Sequence, residues 1–127
     1  MPANTSAIFG LTPISAGVAI ATANANLDGT GTIGTVFSAG SNGSWINGVH
    51  IKATVSTTNG MVRLYIYTGA TYYLIHEEPI PGITKSASVP AFQTYVPLNK
   101  AIPTGYSLRA STENAENFNV VSDASDY

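Results

Sequence analysis

Hydrophobic and polar residues alternate with a period of two along most of the chain, and the 3.6-residue period of a helix is almost nowhere visible. Two stretches are clearest. In Trp45 to Val55, the residues Val49, Ile51, Ala53 and Val55 interleave with His50, Lys52 and Thr54. In Met61 to Thr68, Val62, Leu64 and Ile66 interleave with Arg63, Tyr65 and Tyr67. Successive side chains of an extended segment point to opposite faces, so the first set of each stretch is expected inward and the second outward. The same reasoning predicts strands at Ile14–Thr22, Thr32–Ala39, Thr71–Glu78, Ala91–Leu98 (with Phe92, Thr94, Val96 and Leu98 in register), Tyr106–Ser111 and Phe118–Ser122. Only Thr68-Gly69-Ala70 separates two of these, which predicts a hairpin with Gly69 at positive φ.

Two segments break the alternation. Asn24 to Gly31 is polar and glycine-rich. Pro79 to Pro90 contains three prolines, which have no N–H to give to a ladder and are confined to surfaces and edge strands. Met1 to Pro13 has no pattern and reads as an N-terminal arm. The remainder, 14–127, reads as a single domain. About eight short strands, each with one buried and one solvated face, predict an all-β antiparallel two-sheet sandwich of the jelly-roll or Greek-key kind. A closed barrel has a similar pattern.

The 127 residues are enough to bury a core without disulfides, and the chain has no cysteine. Thiol catalysis and thiolate metal sites are thereby excluded. Only 9% of residues are charged, against about 25% in an average soluble domain, so Ser, Thr and Asn carry solubility. Five basic residues and a net charge of −2 give no electrostatic footprint for nucleic acid. No segment approaches the length of a membrane helix, and the N-terminus has no basic n-region, so neither a membrane nor an export route is expected. The glycosylation patterns at Asn4-Thr5-Ser6 and Asn42-Gly43-Ser44 carry no weight without such a route.

Candidate chemistry is thin. The two histidines, His50 and His76, are both expected to point outward, and no serine lies in a Gly-x-Ser-x-Gly elbow. In His76-Glu77-Glu78 only His76 and Glu78 share a face, two ligands where zinc takes at least three. The Asn24–Gly31 loop has one carboxylate, Asp28, too few for calcium, and its Asn, Asp and Gly suit turns. Glu113 and Glu116 read as a solvated corner. No catalytic residue, metal ligand or cofactor is expected. The aromatic residues are more informative. Tyr65 and Tyr67 fall on one face of their strand, with Tyr72 or Tyr73 on the hairpin partner, and Trp45 opens the preceding strand. Such a face suits a protein interface, a sugar platform or a second buried layer.

Several stretches have a familiar look. They are Thr22-Ala23-Asn24 with Asp28-Gly29-Thr30-Gly31-Thr32, Ile51-Lys52-Ala53-Thr54, Gly60-Met61-Val62-Arg63-Leu64-Tyr65-Ile66, and Leu108-Arg109-Ala110-Ser111-Thr112 with Ala115-Glu116 and Phe118-Asn119-Val120. Together they resemble a group of small proteins of tailed-phage genomes and prophages, over most of residues 14–122. The resemblance implies a non-enzymatic virion component of the capsid-decoration or head-fibre type, made in a bacterial host cytoplasm and carried on the particle. Its expected partners are the major capsid protein or another virion protein, and copies of itself, as a trimer. The expected contact residues are Ala7, Ile8, Phe9 and Leu11 of the arm, Trp45, Tyr65, Tyr67 and Tyr73 of the aromatic face, and Ile80 and Ile83 of the proline-rich segment. A carbohydrate- or receptor-binding module of a head fibre or tail is the other expectation.

Overall fold

The computed structural model describes residues 10–127. Nine strands form two antiparallel sheets. In chain order they are β1 (Thr12–Ile14), β2 (Gly17–Ile20), β3 (Gly34–Ser38), β4 (Ser44–Ala53), β5 (Gly60–Tyr67), β6 (Tyr72–Ile80), β7 (Gln93–Ile102), β8 (Ser107–Thr112) and β9 (Phe118–Asp126). One sheet has the order β1-β9-β4-β7, with β2 also paired to β9, and is called sheet A below. Sheet B has the order β3-β8-β5-β6. The two face each other as a sandwich.

The period-two pattern produces the core directly. Val49, Ile51 and Ala53 of β4 and Val120 of β9 face Val62 and Leu64 of β5 and Leu108 and Ala110 of β8, and all are fully buried. Val96 and the half-buried Leu98 extend the apolar layer along β7, and Phe118 and Ile20 complete it. The hairpin between β5 and β6 closes as expected, with Gly69 at φ 95° and the Thr68 amide donating to the Thr71 carbonyl at 3.0 Å.

Several boundaries differ from the sequence pattern. The first predicted strand is two, because the chain steps aside at Ser15-Ala16. There the Ala16 carbonyl accepts from both the amide and the hydroxyl of Ser122, at 2.7 and 2.8 Å. Thr12 and Pro13, assigned to the arm, pair with Asp126 and Ser125. Val55, expected inward, lies past the end of β4 and is 41% exposed. A bulge between Leu64 and Tyr65 inserts Ile75 into β6, so His76 sits opposite Leu64 on the core-facing side of an edge strand and not outward. Pro79 does lie on an edge strand, and the rest of its segment is tied down by an Ile83–Thr57 bridge.

Ile51 is fully buried toward the C-terminal end of β4, with neighbours on both sides in the sheet. Truncation there leaves a void that flanking strands cannot close, so Ile51→Ala is expected to lower stability by about 2–5 kcal/mol. Urea unfolding measures this; a loss under about 1 kcal/mol contradicts the packing described.

Candidate functional site

The two outer faces of the sandwich differ. On sheet B the outward side chains of β5 include Arg63, Tyr65 and Tyr67, and the Asn24–Gly31 loop folds back over the first two. Ala23 makes a parallel bridge to Thr112, and the Asn24 amide donates to the Thr112 carbonyl at 2.8 Å. Asn24, itself buried, donates its side-chain amide to the carbonyls of Thr30 and Thr32 and so closes the loop on itself. Tyr65 then donates its hydroxyl to the Asn26 carbonyl at 2.8 Å and is fully buried. Gly29 packs so closely on Tyr72 that a Cβ there would overlap the ring. The loop is therefore a roof over half of this face, and its Asn, Asp and Gly serve turn geometry. Asp28 accepts from the hydroxyl and amide of Thr30 at 2.6 and 3.1 Å. Those bonds, the hydroxyl's first, hold its carboxyl below the ordinary Asp value.

Beneath the roof Arg63 donates from Nε to Glu77 at 3.1 Å and from Nη2 to Glu113 at 3.0 Å. Its side chain is 6% exposed, against 41% and 35% for the two glutamates. Burial disfavours the charged guanidinium, but the bonds to Glu113 and Glu77 outweigh it and raise the pKa above the ordinary arginine value. Register explains the pair: Arg63 lies directly opposite Glu77 in the hairpin. Alternation had placed Arg63 in solvent. The regular offset from the turn would set Arg63 opposite His76, and only the bulge at Ile75 brings Glu77 to it, so local pattern carried no signal for this pairing.

At the margin of the roof, where Gly29 packs on Tyr72, a half-exposed cluster is formed by Tyr67, Tyr72 and Arg109. The Tyr67 and Tyr72 rings lie 4.3 Å apart, and the Arg109 guanidinium carbon lies 4.4 Å from the Tyr67 centroid. Arg109 also donates to Ser107 Oγ at 3.0 Å and to the Tyr72 hydroxyl at 3.3 Å. Cation and rings attract through the ring quadrupole, which fixes the guanidinium in place.

Sheet A has no roof among the described residues. Its outer face carries Trp45, His50 and Lys52 from β4, Tyr95 from β7 and Val121 from β9. The Tyr95 ring lies across Gly48, where a Cβ would collide with it. It meets the His50 ring at a 60° tilt, with centroids 4.7 Å apart, and donates its hydroxyl to Asp123 at 3.2 Å. Burial first, then the Asp123 charge, raise the Tyr95 pKa above the ordinary value. A shallow depression of about 330 Å³ beside His50 is lined by Lys52, Gln93 and Thr94. Alternation had placed His50 and Lys52 outward, but Tyr95, Val121 and Asp123 were not singled out. They join the others only through the β4–β7 and β4–β9 registers.

The expected contact residues are scattered. Ile8 and Phe9, with Ala7, lie outside the described residues. Leu11 is 81% exposed beside β1, and Tyr73 is 58% exposed on β6. Trp45 is half-buried on the outer face of sheet A, and Tyr67 is half-buried on that of sheet B. Tyr65 and Ile80 present no surface: the loop roofs the first, and the second closes the core where β6 ends. Ile83 is half-buried by its bridge to Thr57. Among the acids, Glu113 turns to Arg63 and Glu116 to Thr58, so they do not act as a pair. His76 and Glu78 share a face as expected and meet at 2.9 Å. Among the described residues, no three of His, Cys, Asp and Glu are grouped so as to hold a metal ion.

No protein-family model matches this chain, and no curated protein does. The chain is similar to two crystal structures of a pentameric capsid protein isolated from metagenomic phage sequences. Both are 14% identical to it, with a TM-score of 0.44, and the match covers 94% of this chain. It spans 63% and 65% of theirs, under two thirds of their length.

Two predictions follow from sheet B. Arg63→Ala removes a packed aliphatic stem and the common partner of two carboxylates, and is expected to cost about 2–4 kcal/mol. Glu77→Ala or Glu113→Ala leaves one partner in place and costs less. Denaturant unfolding of the three variants gives the order. Because the folded-state pKa of Asp28 is depressed, its bonds to Thr30 persist above the ordinary Asp value and are lost as pH falls through the lower folded one. The Thr30 amide resonance should move with a midpoint below about 3.9, and Asp28→Ala should abolish that movement.

Proposed function

We propose that this chain is a structural protein of a phage virion, decorating or cementing the capsid shell through protein–protein contacts and assembling with copies of itself. The observation that carries the reading is the outer face of sheet A, which none of the described residues covers. A sheet side bearing Trp45, His50, Tyr95 and Val121 and little charge has the composition of a protein contact surface. Lys52 is turned to the Ala91 carbonyl and Asp123 to Tyr95, so neither extends free charge across it.

The sheet edges support the same reading by elimination. β1 and β2 are short, β3 is bulged between Thr35 and Phe37, β6 is bulged and carries Pro79, and β7 carries Pro97 opposite a bulge. Such edges discourage strand addition, so association falls to side chains on the faces. The strand orders β1/β2-β9-β4-β7 and β3-β8-β5-β6 read as a jelly roll, an architecture used by viral capsid domains. Low charge reduces repulsion between copies, and many weak contacts on a shell act together at high effective concentration. A trimer is the assembly expected.

Quantitative mass spectrometry of particles banded from a lysate of the phage carrying this sequence tests the reading. The chain should be present in many copies per particle, and Val121→Arg should fold normally yet reduce its copy number. Peptides found only in the unsedimented fraction would remove the virion reading. Undiminished copy number in the variant would remove the role of sheet A.

A further inference from the structure

We infer that the Lys85–Ser86 peptide bond is a proteolytic nicking site, cut in the folded protein by a protease specific for basic residues, and that the nicked chain remains a sandwich of two fragments. The chain has five basic residues, and four of them lie in strands. Lys52 is in β4 between β7 and β9, and Arg63 is in β5 between β6 and β8. Arg109 is in β8 between β3 and β5, and Lys100 is in β7 opposite Ile46. A protease takes its substrate as a separate extended strand, so a segment held in a ladder must first be peeled from its neighbours. Lys85 alone lies between strands, in a run of seven exposed residues from Thr84 to Pro90.

This loop is fastened at both ends and makes only small, local bonds between them. On one side Thr57 and Ile83 exchange backbone bonds of 2.9 and 3.1 Å, and on the other Lys52 Nζ donates to the Ala91 carbonyl at 2.8 Å. Between these anchors the Lys85 amide donates to the Ser56 hydroxyl at 3.0 Å. The Ser86 amide donates to the Val89 carbonyl at 3.0 Å, and Ser86 Oγ accepts from the Val89 amide at 3.2 Å. Among the described residues, Ser86 to Pro90 bond to nothing outside the loop. Drawing Lys85 into a protease cleft therefore costs a small turn and one exposed bond to Ser56, and disturbs no strand. Hydrolysis adds water across the bond, leaving a carboxylate on Lys85 and an ammonium group on Ser86. Each new end stays close to an anchor. The fragments 1–85 and 86–127 also alternate through the fold, because the second supplies β7, β8 and β9. Every ladder between strands except β5–β6 joins one fragment to the other. The core is shared in the same way, with Val49, Ile51 and Leu64 from one fragment and Val96, Leu108 and Val120 from the other. Apolar burial that crosses the cut holds the pair together without the peptide bond.

Limited trypsin digestion of the folded whole chain, followed by mass spectrometry and by gel filtration without denaturant, tests both parts. The first products expected are 1–85 and 86–127, formed at least about tenfold faster than any product of a cut at Lys52, Arg63, Lys100 or Arg109. They should elute together at the volume of the intact chain and keep its circular dichroism. Lys85→Gln should leave the chain whole over the time in which wild type is nicked. Thermal unfolding checks that this variant folds, and the wild-type fragment map stands as a test on its own. A first cut at another basic residue, cutting only once the chain is unfolded in urea, fragments that separate on the column, or a folded Lys85→Gln nicked as fast as wild type would each overturn the proposal. The chain is digested in isolation, so the outcome is independent of whether the protein resides on a particle.

Discussion

The structure depends on keeping charge out of an interior that alternation fills with aliphatic side chains, and Arg63 is where that rule is strained. A guanidinium held at 6% exposure is costly to desolvate, and it is tolerated only because two glutamates and a roofing loop satisfy it. Glu77 arrives by hairpin register, Glu113 by the turn that follows β8, and the loop by its bridge to Thr112. One buried cation thus ties together three segments far apart in sequence. The same clamp seats Tyr65 beneath the Asn26 carbonyl and separates a closed half of sheet B from the open half where Arg109 stands.

This division gives the molecule two kinds of surface. Sheet A presents a broad, nearly neutral face of aromatic and aliphatic side chains, suited to packing against another protein. Sheet B presents a roofed half and, next to it, a half-exposed cluster of Tyr67, Tyr72 and Arg109. The two lie on opposite sides of the sandwich.

Alternation was sufficient to read the sandwich, because a sheet with one buried face writes its inward residues at every second position. Val49, Ile51, Val62 and Leu64 all fell where the pattern placed them. The rule failed at Tyr65, Arg63 and His76, for two physical reasons. Tyr65 and Arg63 do point away from the core, but the chain's own Asn24–Gly31 loop covers them, and a loop's path is not encoded in strand period. His76 changed side because the bulge at Ile75 shifts the register, and a bulge leaves no mark on composition. The outer face of sheet A was illegible for a third reason. Its members come from β4, β7 and β9, whose adjacency is a property of topology, and no local pattern links Tyr95 to His50 or to Asp123.

The position of β9 also bears on how such a chain acquires its shape. β9 runs between β4 on one side and β1 and β2 on the other, yet it is the strand furthest along the chain. While ribosomes are still producing earlier segments, β4 has an unfilled ladder along one side and the first strands have no partner at all. These are the bare edges that the finished sandwich conceals. Closure of the sheet must therefore await synthesis of β9, and long-range pairing of this kind is slow. The nascent protein is most prone to mispairing in that interval.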